Sequence, residues 1–309
     1  MAVLISNILR FIISLVGLAG NSVVLWLLTF HMQRNAFSVY ILNLAGADFV
    51  CLSTHMISSI THLIIDIKLD LAIMFRVYFI TFVFPYVVGL SILTAISTER
   101  CLSVLLPIWY HCHRPKHMSS VVCTLLWALS LPFIILRMEG DGLLFRKTDR
   151  YLCNLIDFSI ATWLIFSFVL LFGSSLVLLT RLLCGSQKLR LTRLYVTIGL
   201  TVLLFLLCGL PWGISYFLLY RMSNVSTIYT TKEFQVTSVL SCVNSCANPI
   251  IYFFVGSYRQ QQRQQRKSLK VILQRALQDA PEEDGIQGSP PQESLEMSGN
   301  THGTNSIKM

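Results

Sequence analysis

The chain has 309 residues and a formal charge of +9, with 54% hydrophobic and only 13% charged residues, about half the charged fraction of an ordinary soluble domain. At a mean hydropathy of +0.64 a water-soluble globule is excluded, because it would expose large apolar patches and associate through them. A disulfide-stapled secreted scaffold is excluded too; the apolar residues fall in long blocks, so lipid is the solvent and the protein is an integral membrane one.

A helix needs about 20 apolar residues to cross the hydrocarbon core, and seven blocks satisfy this. The first runs from about residue 3 to Phe30, with Arg10 near one end and Asn21 at its middle. It is too long for a signal peptide and lacks a small-residue cleavage site, which predicts an uncleaved signal-anchor helix. The second covers about 37–64 and holds Asp48; the third covers 72–104 and ends in Ser97-Thr98-Glu99-Arg100-Cys101, with Pro107 seven residues after the Arg. The fourth and fifth cover 118–137 and 156–184. The sixth, 193–220, contains Cys208-Gly209-Leu210-Pro211, and the seventh, 234–255, contains Asn244 and Asn248-Pro249-Ile250-Ile251-Tyr252. Beyond it Leu269, Ile272, Leu273 and Ala276 recur at helical spacing. The predicted fold is an all-α membrane protein: a seven-transmembrane helix bundle over 1–255, a short amphipathic cytoplasmic helix over 256–278 on the membrane surface, and a disordered tail over 279–309 rich in Pro, Gly, Ser, Glu and Asn.

Seven spans put the two ends on opposite sides of the membrane. Placing the C-terminus inside assigns 15 of the 24 Lys and Arg, against seven acids, to the cytoplasm; nine, against seven acids, lie outside, and Asp48 lies within. The positive-inside rule therefore sets the N-terminus outside. The basic excess implies apposition to anionic inner-leaflet lipid rather than to nucleic acid.

Polar groups within spans are functional candidates by default. Asn21, Asp48, Asn244 and Asn248 supply such groups in three spans; each alone is also compatible with a polar contact that only joins helices. Glu99 and Arg100 can satisfy one another at the interface, or Arg100 can be freed to receive a cytoplasmic partner. Pro211 removes a backbone hydrogen bond and makes the sixth span a pivot, loosened further by Gly209.

These residues resemble the rhodopsin-like G-protein-coupled receptors: Gly20-Asn21, Asp48, Glu99-Arg100-Cys101, Trp127, Pro211 and Asn248-Pro249-Ile250-Ile251-Tyr252 stand one group per span, in order. Within that class the chain resembles the Mas-related receptors. The strings that carry this are Leu15-Val16-Gly17-Leu18-Ala19-Gly20-Asn21, Arg34-Asn35-Ala36-Phe37-Ser38-Val39-Tyr40, Pro107-Ile108-Trp109-Tyr110, and Leu204 through Pro211 with Gly209 where most rhodopsin-like receptors have Trp. The resemblance implies a plasma-membrane receptor without cofactor or metal. Its implied partners are an extracellular basic peptide or cationic small molecule, a heterotrimeric G protein, arrestin and membrane lipid. It implies sensory neurons or mast cells as the setting, and itch or nociception as the output. Glu99, Arg100 and Tyr252 become the G-protein switch; Asp48, Asn21, Asn244, Asn248 and Pro249 the polar network; Gly209 and Pro211 the pivot.

In Mas-related receptors that take basic ligands, acids at the positions of Glu139 and Asp157 bind the ligand's charge. Glu139 is expected to cap the fourth span and Asp157 to open the fifth, with Phe82, Tyr86, Trp163 and Tyr216 as aromatic lining. The bland account leaves both acids as solvated loop groups paired with Arg137, Arg146 or Lys147, and the aromatics as core. Departures from the wider class are informative as well. Phe82 stands where amine receptors have Asp, the seventh span holds no Lys for a retinal Schiff base, and no acid lies between Cys184 and Tyr195 to restrain Arg100. Gly89 replaces the hydroxyl expected beside Asp48. Fewer restraints imply appreciable ligand-free signalling.

Cys153 matches the fifth-span half of the bridge that many Mas-related receptors form between spans four and five, but no Cys lies between Arg137 and Phe145, so the thiol is expected to stay outside a disulfide. The segment before the first span is shorter than is usual in the family. Asn224-Val225-Ser226 is a candidate glycosylation site. No Cys follows Cys246, which leaves the amphipathic helix without a palmitoylation thiol. Two other classes stay open at this point: a secondary transporter relaying protons through Asp48, recognised by substrate uptake without nucleotide exchange, and a receptor-like membrane protein that does not signal. No triad or metal-ligand spacing points to an enzyme.

Overall fold

A computed structural model describes residues 2–31, 35–64, 71–140, 150–184, 193–215 and 231–257. Those residues are helical apart from short connections, and seven helices are long and apolar enough to cross a membrane. Span one is α1 (Ala2–Trp26) and ends in a π-turn, Leu27–His31. Spans two and three are α2 (Ala36–Ile64) and α3 (Leu71–Leu105), followed by the short α4 (Pro107–Cys112). Spans four and five are α5 (Met118–Gly140) and α6 (Arg150–Cys184); span six is α7 (Arg193–Leu204), continued by a π-turn over Phe205–Gly209; span seven is α8 (Lys232–Ser257).

Local chemistry sets the boundaries. Asn35 and Ser38 close the start of α2 reciprocally, the Ser38 N–H donating to Asn35 Oδ1 at 2.7 Å and the Asn35 N–H to Ser38 Oγ at 2.8 Å, which satisfies two donors left open by the helix. Pro107 disfavours helical geometry at the residue before it; Leu106 sits at φ −128°, ψ 61° and α4 begins on the proline itself. In span six Pro211 has no N–H to offer the carbonyl four residues back, that of Leu207, and the helix widens into its π-turn there.

The third span is the most enclosed and packs against spans two, four, five and six; span one lies against two and seven. Spans four and five bury least and present Leu125, Leu129, Phe133, Phe166, Val169 and Phe172 outward, as helices solvated by lipid do. Polar pairs join the spans from inside. Asn248 Nδ2 donates to Asp48 Oδ2 at 2.7 Å, Asn21 Nδ2 to the Ser245 carbonyl at 3.1 Å, and Trp127 Nε1–H to Asn43 Oδ1 at 3.0 Å.

One boundary corrects the reading by hydropathy: the fifth helix begins at Arg150, not near 156, so Asp157 lies about two turns inside it rather than at its start. Tyr216, the sequon at Asn224, the amphipathic helix and the tail lie outside the described residues.

Candidate functional site

Chemistry gathers at two ends of the bundle and at a hinge between them. At the end where span three meets α4, the Glu99 carboxylate, only 5% exposed, is held from three elements. It accepts Tyr40 OH at 2.8 Å from span two, Tyr110 OH at 2.8 Å from α4, and Arg114 Nε at 2.9 Å from the following turn. Arg114 also lies 2.7 Å from the carboxylate through Nη2 and donates onward to Ser119. Arg100 Nη2 donates to the Tyr110 oxygen at 3.0 Å. The Tyr110 ring lies 5.7 Å from the guanidinium carbon of Arg100 and 5.4 Å from that of Arg114. Burial pushes the Tyr110 phenol up to about 12, so it keeps the proton that it donates to Glu99. The result is one clasp in which Tyr110 receives from Arg100 and gives to Glu99. The sequence singled out Glu99 and Arg100; Tyr40, Tyr110, Arg114 and Ser119 were not recognisable as their partners.

The hinge is aromatic. Phe82 is fully buried, its ring 4.3 Å from that of Trp212 and 4.5 Å from that of His55. Tyr86 stands 5.1 Å from Trp212 and donates its hydroxyl to the Gly209 carbonyl at 3.2 Å, inside the π-turn. Two glycines make the contact possible. A Cβ on Gly209 would sit 2.7 Å from the Phe205 ring, and one on Gly213 would sit 2.6 Å from the Tyr86 oxygen. Phe82 and Tyr86 thus form the core contact between spans three and six. Trp163 is elsewhere: it is 38% exposed and donates its Nε1–H to Ser91 at 2.9 Å, on the lipid side of spans three and five.

The polar network expected between spans is partly assembled: Asp48 meets Asn248, and Asn21 bonds to the Gly17 and Ser245 carbonyls. Asn244 Oδ1 and the Tyr252 hydroxyl are buried with no hydrogen-bond partner among the described residues. Pro249 packs within 3.2 Å of the position a Cβ on Gly20 would take, which brings spans one and seven close.

At the other end of the bundle Asp157 is occupied. Arg137 Nε donates to Asp157 Oδ1 at 2.9 Å, with the two side chains 6% and 16% exposed, and Arg137 Nη1 reaches Cys153 Sγ at 3.3 Å. Glu139 emerges two residues and about 200° farther round the helix, half-buried, with no ion pair or hydrogen bond among the described residues. The two acids expected to share one cation are therefore unequal: Asp157 already holds a guanidinium from the protein itself, and Glu139 holds none among the described residues.

Comparisons with known proteins agree with this architecture. Residues 20–252 match the family described as 7 transmembrane receptor (rhodopsin family). The chain is 55% identical over 299 residues to Mas-related G-protein coupled receptor member X2 of Rhinopithecus bieti, covering 96% of this chain and 90% of that one. It is 54% identical over 296 residues to member X2 of Homo sapiens, covering 96% and 89%. Against member X1 of Homo sapiens it is 56% identical over 293 residues, covering 95% and 89%. With seven apolar helices joined through Asp48, Asn21 and Asn248, and with this likeness along nearly its whole length, the chain belongs to the rhodopsin family of seven-transmembrane receptors and, within it, to the Mas-related G-protein-coupled receptors.

Proposed function

We propose that this receptor binds basic peptides or cationic small molecules from outside the cell at Asp157, with Glu139 as a second acid at the rim, and that it activates a heterotrimeric G protein through Arg100. The single observation that carries the ligand class is the Arg137–Asp157 ion pair. A carboxylate that already accepts a guanidinium at hydrogen-bond distance is shaped for guanidinium and ammonium groups, and a ligand's cation takes it by exchange with Arg137. Charge-assisted hydrogen bonds of this kind are the stronger ones. The N-terminus is outside and the C-terminus inside in this reading, supported by the distribution of Lys and Arg. Sensory neurons or mast cells, with itch or nociception as the output, belong to the same reading by family resemblance.

The switch at the far end follows from the clasp. Glu99, Tyr110 and Arg114 keep Arg100 against α4 at rest, a restraint supplied by the second intracellular segment in place of the missing acid before span six. Release of Arg100, with span six turning about its π-turn and Pro211, opens the surface for the G protein; arrestin docks on the same side. A ligand drives this only as far as it favours the open arrangement over the closed one. Calcium mobilisation in cells expressing the chain, challenged with a panel of basic peptides and cationic amphiphiles, tests the reading. A dose-dependent response that disappears in Asp157→Ala at matched surface expression supports it. Silence to every cationic compound at verified surface expression refutes the ligand class.

A further inference from the structure

A cavity of about 180 Å³ lies between spans three, four and five, walled by Val83, Val87, Leu129, Phe133, Ile160 and Trp163 among others, with no charged side chain in its lining. Its few polar atoms are already used. Ser130 and Ser159 donate to the Leu126 and Leu155 carbonyls of their own helices at 2.7 and 2.8 Å, and Trp163 donates to Ser91. An apolar cavity of about 150 Å³ stays dry and takes small hydrocarbons, so this one calls for hydrocarbon, not water. Its rim is exposed on the membrane-facing side: Leu129 is 59%, Phe133 41% and Trp163 38% exposed. Val87 and Val83 stand 13 and 17 residues from Arg100, which puts the cavity about 20–25 Å along span three from that end. In a hydrocarbon core about 30 Å thick that is the half remote from Arg100.

We infer that this cavity is a binding site for the headgroup-proximal half of a membrane acyl chain from the leaflet on the Asp157 side. The membrane supplies the occupant, because among the described residues the mouth is rimmed by Leu129, Phe133 and Trp163, exposed side chains of membrane-spanning helices. Size selects a chain over a sterol: a fused four-ring body is too bulky for a cavity of about 180 Å³. The site also has leverage. Val83 and Val87 share a stretch of span three with Phe82 and Tyr86, the residues that grip Trp212 and the π-turn of span six. A chain seated in the cavity braces that stretch from a second side and stiffens the contact about which span six turns.

The test uses the full-length receptor in nanodiscs containing a trace of phosphatidylcholine with a diazirine in the headgroup-proximal half of an acyl chain, with photo-adducts mapped by mass spectrometry. Adducts at Phe133, Ile134, Ile160 and Trp163 should exceed those at Phe166, Val169 and Phe172, on the open lipid face of span five, by about tenfold, equivalent to about 1.4 kcal/mol of preference. They should saturate with probe and fall to the open-face level in Ser130→Phe and in Ser159→Leu, which fill the cavity from different helices. The wild-type ratio stands as a test even where one variant fails to fold. Even labelling along the face overturns the inference, as does undiminished cavity labelling in monodisperse preparations of both variants. A diazirine sterol that labels these residues saturably where the acyl probe does not overturns it equally.

Discussion

Arg137→Leu is the perturbation that separates the present reading of the ligand site from a simple pair of acids. In the wild type an incoming cation does not find a vacant carboxylate; it must exchange with Arg137, whose Nε lies 2.9 Å from Asp157 Oδ1. Part of the Coulomb energy that the ligand gains is offset by what Arg137 gives up, so in the wild type the site contributes less net affinity than a vacant carboxylate would. Two unit charges about 4 Å apart interact with about 1 kcal/mol in bulk water and about 4 kcal/mol at the effective dielectric of a protein surface. With the side chains 6% and 16% exposed, the pair sits between an exposed ion pair, worth at most about 1 kcal/mol, and a buried one, whose rupture costs about 3–5 kcal/mol. A value of about 1.4–3 kcal/mol makes basic agonists about 10- to 150-fold more potent in Arg137→Leu.

The same substitution takes the Arg137 guanidinium away from the Asp157 carboxylate in the empty receptor, so surface expression falls and potency must be compared at matched expression in a calcium or G-protein dissociation assay. Arg137→Gln keeps a donor for Asp157 without the charge and limits that loss. Arg137→Leu combined with Asp157→Asn should recover expression while losing the response. Unchanged or reduced potency in Arg137→Leu, with the response still dependent on Asp157, would falsify the exchange: the ligand would then be engaging Asp157 without displacing Arg137.

Three further outcomes follow from the geometry. Arg114→Ala and Tyr110→Phe each remove part of the Glu99 clasp; at about 1.5 kcal/mol, the low end for a hydrogen bond to a charged group, each should raise ligand-free signalling roughly tenfold, and output no higher than wild type at equal expression would show that the clasp does not restrain Arg100. Gly209→Ala drives a methyl to 2.7 Å from the Phe205 ring; overpacking of about 1–3 kcal/mol should lower the Tm of purified receptor, whereas a rise in Tm would mean that Phe205 swings aside at no cost. Asn248→Ala takes the 2.7 Å donor away from buried Asp48 and, at about 1–2 kcal/mol for a polar contact between membrane helices, should lower both Tm and surface expression, with Asn248→Gln intermediate; equal thermal profiles for all three would remove the contact from the stability of the bundle.

The spans were legible because lipid enforces long apolar runs with few exceptions; the third, read to end near residue 104, ends at Leu105, two residues ahead of Pro107. The start of span five was not legible, since Arg150, Cys153 and Asn154 read as a polar approach to the membrane, whereas the helix begins at Arg150. Arg137 was visible only as one of three bases near the acids. Which of them meets Asp157 depends on how spans four and five are rotated about their axes, which apolar composition does not specify. The clasp escaped for a different reason. Tyr40, Tyr110 and Arg114 are 59, 11 and 15 residues from Glu99, and nothing in their local sequence distinguishes a phenol on a carboxylate from one at the lipid interface. The aromatic contact was half legible: Phe82, Tyr86 and Gly209 were picked as separate features, but Phe82 and Tyr86 meet on Trp212, three residues beyond the glycine, and Tyr86 bonds to the Gly209 carbonyl.

The ties between spans also indicate which helix moves. Spans three and five are laced by hydroxyls toward the Arg100 end: Ser174 donates to Ser97 at 2.8 Å, Ser97 and Ser175 lie 2.9 Å apart, and Thr94 reaches the Ser167 carbonyl at 3.1 Å. Sliding one of these spans past the other breaks several hydrogen bonds in a medium with no water to replace them. Spans three and six meet through Phe82, Tyr86 and Trp212, with one hydrogen bond to the Gly209 carbonyl. Ring contacts slide at little cost, and that carbonyl belongs to a π-turn already freed from regular helix pairing. This difference in ties supports, for the proposed switch, spans three and five moving as one body with span six turning against them. In the proposed reading a cation at Asp157 acts on Arg100 through the way spans three and five seat on Trp212, at the contact with span six rather than at either binding surface.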